Sequence, residues 1–195
     1  LKTKSVTYVV ASDTDSIYIR LGEVVDKIFK DKSDTRKIVK VMDKFCNETI
    51  QPQIDKSFDK LAKYVHAYEQ KMIMKREVIA NKGIWTAKKR YILNVYNDEG
   101  VELKQPKLKI MGIEAVKSST PAPCRVKIKE ALSVIMNQDE SSLIQFIDDF
   151  RNEFKKLSPE AIAYPRSCNN LRKYSSTTDI YQKGTPMHVR GALLY

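Results

Sequence analysis

The 195 residues predict an α+β fold, and three features of the sequence carry that expectation. Short runs rich in β-branched and aromatic residues, separated by polar turn-forming stretches, read as antiparallel strands. Apolar residues elsewhere recur at three- and four-residue steps, the period of an amphipathic helix. After Gly112 the strand-like runs cease and only helical periods continue. A boundary there divides residues 1–112, a sheet with packed helices, from residues 113–195, a mainly helical part.

Taken in order, Val6 to Val10 (VTYVV) and Ile17 to Leu21 (IYIRL) read as two strands. The polar stretch Ser12-Asp13-Thr14-Asp15-Ser16 joins them as the tip of a hairpin. From Lys37 on, Ile38, Val41, Met42, Phe45, Ile54, Phe58, Leu61 and Val65 mark a helix that Pro52 should kink or split, since proline removes a backbone donor. Lys71 to Ala80 and Trp85 to Tyr96 read as strands. The turn Asn97-Asp98-Glu99-Gly100 and a shorter strand before Pro106 follow, then Lys107 to Ile110. Alternation along that last strand puts Lys107 and Lys109 on one side and Leu108 and Ile110 on the other, toward a core. Ser118-Ser119-Thr120-Pro121 is a helix start, with hydroxyls to cap free N–H groups and proline suited to the first turn. Ile128, Ala131, Leu132 and Ile135 mark one helix, and Leu143, Ile147, Phe150, Phe154 and Leu157 a second. The short polar loop of residues 137–141 makes the two an antiparallel hairpin. Trp85, Tyr64 and Tyr68 read as core or edge residues.

Composition narrows the function. Apolar runs are too short for a membrane span, and the chain, which opens on Leu1, shows no basic-then-apolar leader. Three cysteines without motif spacing and two histidines argue against a disulfide framework or a cysteine- or histidine-based metal centre, so a reducing compartment is expected. Of the net charge of +11, residues 1–60 carry +2, residues 61–130 carry +8 and residues 131–195 carry +1. A positive field concentrated in the middle third attracts a polyanion, nucleic acid being the commonest. The alternative is a lysine-rich solvated surface. In TAKKRYILNVY, Lys88, Lys89 and Arg90 are interleaved with Tyr91 and an apolar strand, which favours nucleic acid.

Asp13 and Asp15 lie one residue apart, so on an extended backbone both carboxylates face the same side. Two such charges repel unless a cation sits between them, and hard oxygen ligands favour magnesium or manganese. A calcium loop fails, because Ile17 and Tyr18 stand where further ligands and a glycine are needed. A solvated Asp-rich turn remains the commoner origin of such a pair.

The SDTDS tip between apolar strands resembles motif C of family B DNA polymerases. WTAKKRYILNVY resembles the KKRY motif downstream of it. PKLKIMGIEAVKSSTP, SCNNLRKY and PMHVRGALLY look like the palm-to-thumb passage in replicative polymerases of T-even-type phages. The resemblance implies a palm portion in residues 1–112, with an antiparallel sheet, and a helical thumb portion in residues 113–195. It implies that the chain is part of a viral nucleotidyltransferase of DNA replication, a DNA-directed DNA polymerase in the cytoplasm of an infected bacterium. Two Mg2+ ions (or Mn2+) would serve the reaction. Asp15 would be the principal metal-bridging catalytic carboxylate, Asp13 a secondary one, and Glu77 an acidic position near the metals, with an ion pair to Arg76 or Lys75 as its alternative. Lys89 and Tyr91 would contact the duplex near the primer terminus, and Lys88 and Arg90 its phosphates. Lys117, Ser118, Ser119 and Thr120 would meet the duplex backbone at the start of the thumb, with Lys109, Lys127 and Arg172 as further contacts.

The pattern also departs from the family. Ala11-Ser12 stands where Tyr-Gly is usual, and Lys75 where an acidic residue often precedes Glu77. Motifs A and B, the fingers and the exonuclease have no counterpart here. The partners implied are primer-template DNA, dNTP, the remainder of the polymerase and a sliding clamp reached through a missing C-terminus, with no membrane. A metal site with half its ligands should bind magnesium poorly, so the chain alone is expected not to polymerise DNA. It opens within a strand-like run and stops within an apolar one, as expected of an excised fragment or of one piece of a split enzyme. A non-catalytic duplex-DNA-binding module derived from a polymerase is the alternative.

Overall fold

The computed structural model describes residues 8–195, and Val6 and Thr7 of the first expected strand lie outside that range. The class is α+β, as the sequence predicts. The chain divides into two compact units, one ending at Gly112 and one running from Ile113 to Tyr195.

The first unit opens with the hairpin. Strand β1 (Val9–Asp13) pairs antiparallel with β2 (Ser16–Ile19), and Asp13 opposite Ser16 closes the ladder. The tip is therefore a two-residue turn, Thr14–Asp15, tighter than the five polar residues suggest. A seven-residue helix, α1 (Gly22–Ile28), follows; the sequence reading passed over it because it is too short to show a period. Helix α2 (Thr35–Phe45) starts where the Asp34 carboxylate accepts a hydrogen bond from the Lys37 N–H at 3.0 Å. It leads without a break through a π-helical turn at Cys46–Ile50 into α3 (Gln51–Tyr64). Pro52 is thus absorbed by a local widening of the helix rather than by a split. It sits in the first turn of α3, where a missing N–H is least costly.

Three strands then form an antiparallel meander, β3 (Val78–Ala87), β4 (Arg90–Asp98) and β5 (Val101–Met111). Three boundaries differ from expectation. Residues 71–77 are not strand; the Met74 carbonyl accepts from the Gln51 side chain at 2.8 Å instead of from a neighbouring strand. Trp85 to Tyr96 is not one strand but is folded in two at Lys88–Lys89. Strand β5 runs unbroken through Pro106, which is tolerable because β5 is an edge strand. The central strand β4 carries the core residues Ile92, Leu93 and Val95, and α2 packs on β3 and β4 with Val39 and Met42 each 3 % exposed. Full burial of side chains of this size stabilises by about 1.5–3 kcal/mol each. Tyr64 and Tyr68, expected in the core or at its edge, are almost wholly exposed.

The second unit is helical. Helices α4 (Ala122–Asn137) and α5 (Glu140–Phe154) are joined by two residues, and the Asp139 carboxylate caps α5 by accepting from the Ser142 N–H at 2.8 Å. Lys127 of α4 pairs with Glu130 at 3.3 Å and with Glu153 of α5 at 3.0 Å, which fastens the two helices. A short α6 (Pro159–Ile162) packs on α4, and α7 (Met187–Leu194) packs on the turn at Leu171–Lys173. Among the described residues no helix is long and apolar enough to cross a membrane.

Candidate active site

The carboxylate tip is ordered by its own side chains. Thr14 takes a left-handed backbone (φ 47°), which lets two residues reverse the chain. Its hydroxyl donates to Asp13 Oδ1 at 3.2 Å, and the Ser16 hydroxyl donates to the Asp13 carbonyl at 3.1 Å. Asp13 is half-buried and Asp15 exposed. The expectation that both carboxylates share a side needs an extended backbone through Asp15, but Asp15 lies in the turn. The alternation argument therefore holds only as far as Asp13.

The KKRY segment forms the second half of the site. Lys88 and Lys89 make the turn between β3 and β4, with Lys89 left-handed at φ 61°. This brings Lys89 Nζ to 3.7 Å from Asp13 Oδ1. Lys88 is exposed, whereas Arg90, expected to face phosphate, is half-buried. The backbone of Gly112 lies directly against the turn: a Cβ added there would overlap the Lys89 carbonyl oxygen.

Register then sorts the remaining residues. Tyr91 stands opposite Trp85 on β3 and Met111 on β5, and Leu93 stands opposite Lys109. Paired residues of antiparallel strands share a face, so Tyr91, Trp85 and Lys109 point the same way. Lys107 and Lys109 alternate with Leu108 and Ile110 along β5, and Lys109 is half-buried. It pairs with Glu77, whose partner is therefore neither Arg76 nor Lys75. Arg76 instead pairs with Asp43 and donates to Asn97 Oδ1 at 2.8 Å. Burial, then the hydrogen bond and proximity to Tyr18, then the negative charges of Glu77 and Asp13 push the Tyr91 phenol well above its usual pKa. Two acidic groups of the candidate site thus act on one tyrosine.

Sequence reading missed Tyr18. Its ring centroid lies 5.2 Å from that of Tyr91 and 5.5 Å from that of Trp85, and it joins the carboxylate hairpin to the KKRY hairpin. Only its place three residues after Asp15, on the same strand face as Ser16, hinted at a role.

In the second unit, Lys117 pairs with Glu114 at 3.0 Å, Ser118 and Ser119 are exposed, and Arg172 is exposed in its turn. Thr120 is buried, 6 % exposed. Helix α4 begins later than expected, with Pro121 at the cap position and no side-chain cap, so the serine and threonine hydroxyls do not cap it.

Hard carboxylate oxygens suit Mg2+ or Mn2+ in kind, yet they are too few. Among the described residues no three His, Cys, Asp or Glu side chains gather closely enough to hold a metal ion.

No protein-family model matches the chain. It is similar to the DNA-directed DNA polymerase of Escherichia phage RB69, 39% identical over 202 residues, and to that of Enterobacteria phage T4, 33% identical over 210 residues. Each match covers 99% of this chain and 22% of the relative, so the chain spans about a fifth of the length of these curated relatives. The resemblance to T-even-type phage polymerases read from separate motifs thus extends along the whole sequence.

Proposed function

We propose that the chain is the palm and thumb portion of a family B phage replicative DNA polymerase, residues 1–112 forming the palm part and residues 113–195 the thumb part. It supplies the motif C carboxylates and a duplex-binding surface. The observation that carries this reading is the meeting of two motifs distant in sequence. The SDTDS tip and the KKRY turn converge until Asp13 and Lys89 are 3.7 Å apart. A carboxylate that serves the primer 3′-hydroxyl and a lysine that senses the duplex must be neighbours, because the reacting end of the primer is the end of that duplex.

In this reading Asp15 and Asp13 hold one side of the reacting centre, with Glu77 as a further acidic position near it. Lys89 and Tyr91 touch the minor groove, where every correct base pair presents acceptors, so fit is tested without reading sequence. Lys88 and Arg90 supply positive charge toward phosphates. Lys117, Ser118, Ser119 and Arg172 serve the duplex backbone in the thumb part; Thr120 supports that surface from within. The two metal ions of the complete enzyme, Mg2+ or Mn2+, need at least one further carboxylate beyond the described residues. The chain alone therefore binds duplex but does not polymerise. Primer-template DNA, dNTP, the remaining polymerase with its motifs A and B, and a sliding clamp are its partners, in the cytoplasm of an infected bacterium.

The incomplete ligand set also fits a non-catalytic duplex-binding module. A chimaera with this chain in place of the matching segment of the RB69 polymerase tests the proposal. Templated primer extension by the chimaera, and none by the chain alone, is expected. A folded chimaera that binds duplex yet extends nothing overturns the catalytic reading.

A further inference from the structure

We infer that Tyr18 is a positioning residue: its ring, set against Trp85 and Tyr91, fixes the place of the Lys88–Lys89 turn against the carboxylate hairpin. The inference rests on the reading that this turn meets the duplex, and it adds to that site a residue outside the motifs.

Hairpin β1–β2 and the meander β3–β4–β5 are separate sheets among the described residues, with no ladder hydrogen bond from one to the other. Their alignment at the tip therefore depends on side chains. The Lys89–Asp13 pair is a poor clamp. It is 3.7 Å long, its lysine side chain is 65% exposed, and salt screens such pairs. The aromatic group is better suited. Tyr18 meets Trp85 edge-on (71°) and Tyr91 at a tilt (59°), arrangements that oppose the positive ring edge to the negative ring face. Trp85 lies before the turn on β3 and Tyr91 after it on β4, opposite each other. One ring from the carboxylate hairpin thus touches the turn through both of its strands.

Trp85 is the only tryptophan in the sequence, so its emission reports on this joint without interference. Tyr18→Phe keeps the ring and removes the hydroxyl; Tyr18→Ala removes both. In the intact chain, Tyr18→Phe, which keeps the ring contacts, is expected to leave Trp85 emission unchanged, whereas Tyr18→Ala should shift the Tyr91 ring resonances in 13C-edited NMR spectra. Tyr18→Ala should move Trp85 emission to longer wavelength. Duplex affinity should fall about three- to tenfold in Tyr18→Ala, the range one aromatic pair supports, and be restored in Tyr18→Phe. The double variant Tyr18→Ala/Lys89→Ala should lose no more than Lys89→Ala alone. Unchanged Trp85 emission and Tyr91 resonances in Tyr18→Ala, or additive losses in the double variant, overturn the inference. A wild-type chain with no duplex affinity would instead defeat the proposed function, and the Tyr91 resonances would still decide the role of Tyr18.

Discussion

Replacing Gly112 by alanine tests whether the KKRY turn is held where the site needs it. Gly112 has φ 65°, and alanine pays about 1–2 kcal/mol for a left-handed backbone. Its Cβ would also overlap the Lys89 carbonyl oxygen, with Lys89 C at 3.3 Å and Arg90 Cγ at 3.1 Å. Two of those three atoms are backbone, so the overlap is relieved only by moving the turn; crowding of this kind costs about 1–3 kcal/mol. Gly100 provides a control within the same unit. Its φ is 91°, but the nearest atom to an added Cβ is a guanidinium nitrogen of Arg76 at 3.8 Å, ordinary contact, so Gly100→Ala pays for backbone hand alone. Urea unfolding followed by Trp85 emission gives both costs. Gly112→Ala is expected to lose about 2–5 kcal/mol, the sum of the two terms, and Gly100→Ala about 1–2. Duplex affinity should fall in Gly112→Ala and hold in Gly100→Ala. Equal unfolding losses, or undiminished duplex binding by Gly112→Ala, would refute the claim that the Gly112 backbone seats the turn.

Other outcomes can be measured on the same chain. Lys88→Ala and Lys89→Ala should each flatten the dependence of log affinity on log salt by about one unit, with little change in sequence preference, as measured by anisotropy titration of labelled duplexes. Asp139, held below the usual carboxylate range by hydrogen bonds from the Ser142 hydroxyl and N–H, has a depressed folded pKa. Its contribution to α5 is present above the unfolded value of about 3.9 and disappears as pH falls through the folded one. Asp139→Ala should lower the melting midpoint near neutrality and remove that part of the acid dependence in circular dichroism melts. Burial pushes the Cys46 thiol up, with Arg76 opposing, so iodoacetamide should alkylate Cys46 more slowly in the folded chain than in urea at the same pH.

The two halves of the candidate site were unequally legible. The carboxylate hairpin shows in the sequence because apolar β-branched runs flank a compact polar stretch, a pattern with few other solutions. The KKRY turn does not show, because Lys88 and Lys89 lack the glycine or asparagine that announces a two-residue turn, and β-forming residues continue on both sides. Strand propensity reads that segment as a single strand; tertiary packing against Gly112 folds it. The helix from Thr35 to Tyr64 was visible by its period, but not the π-helical turn that accommodates Pro52, since nothing local distinguishes a five-residue hydrogen-bond step from a break. Tyr18 was passed over because an aromatic in a strand looks the same whether it fills a core or joins two hairpins. Likewise the Ser118-Ser119-Thr120 hydroxyls suggest a cap, and only the fold shows Thr120 buried and Pro121 at the cap position.

In the proposed function the tip at Asp13 and Asp15 belongs to a reacting centre and not merely to a DNA-binding surface. Single-turnover nucleotide incorporation by the RB69 chimaera carrying Asp15→Asn tests it most directly. A lost metal-bridging carboxylate removes several kcal/mol of charge stabilisation, so the rate should drop by about 10³-fold or more while duplex affinity stays within about twofold. Incorporation at the unsubstituted rate would contradict the claim and leave the chain a duplex-binding module.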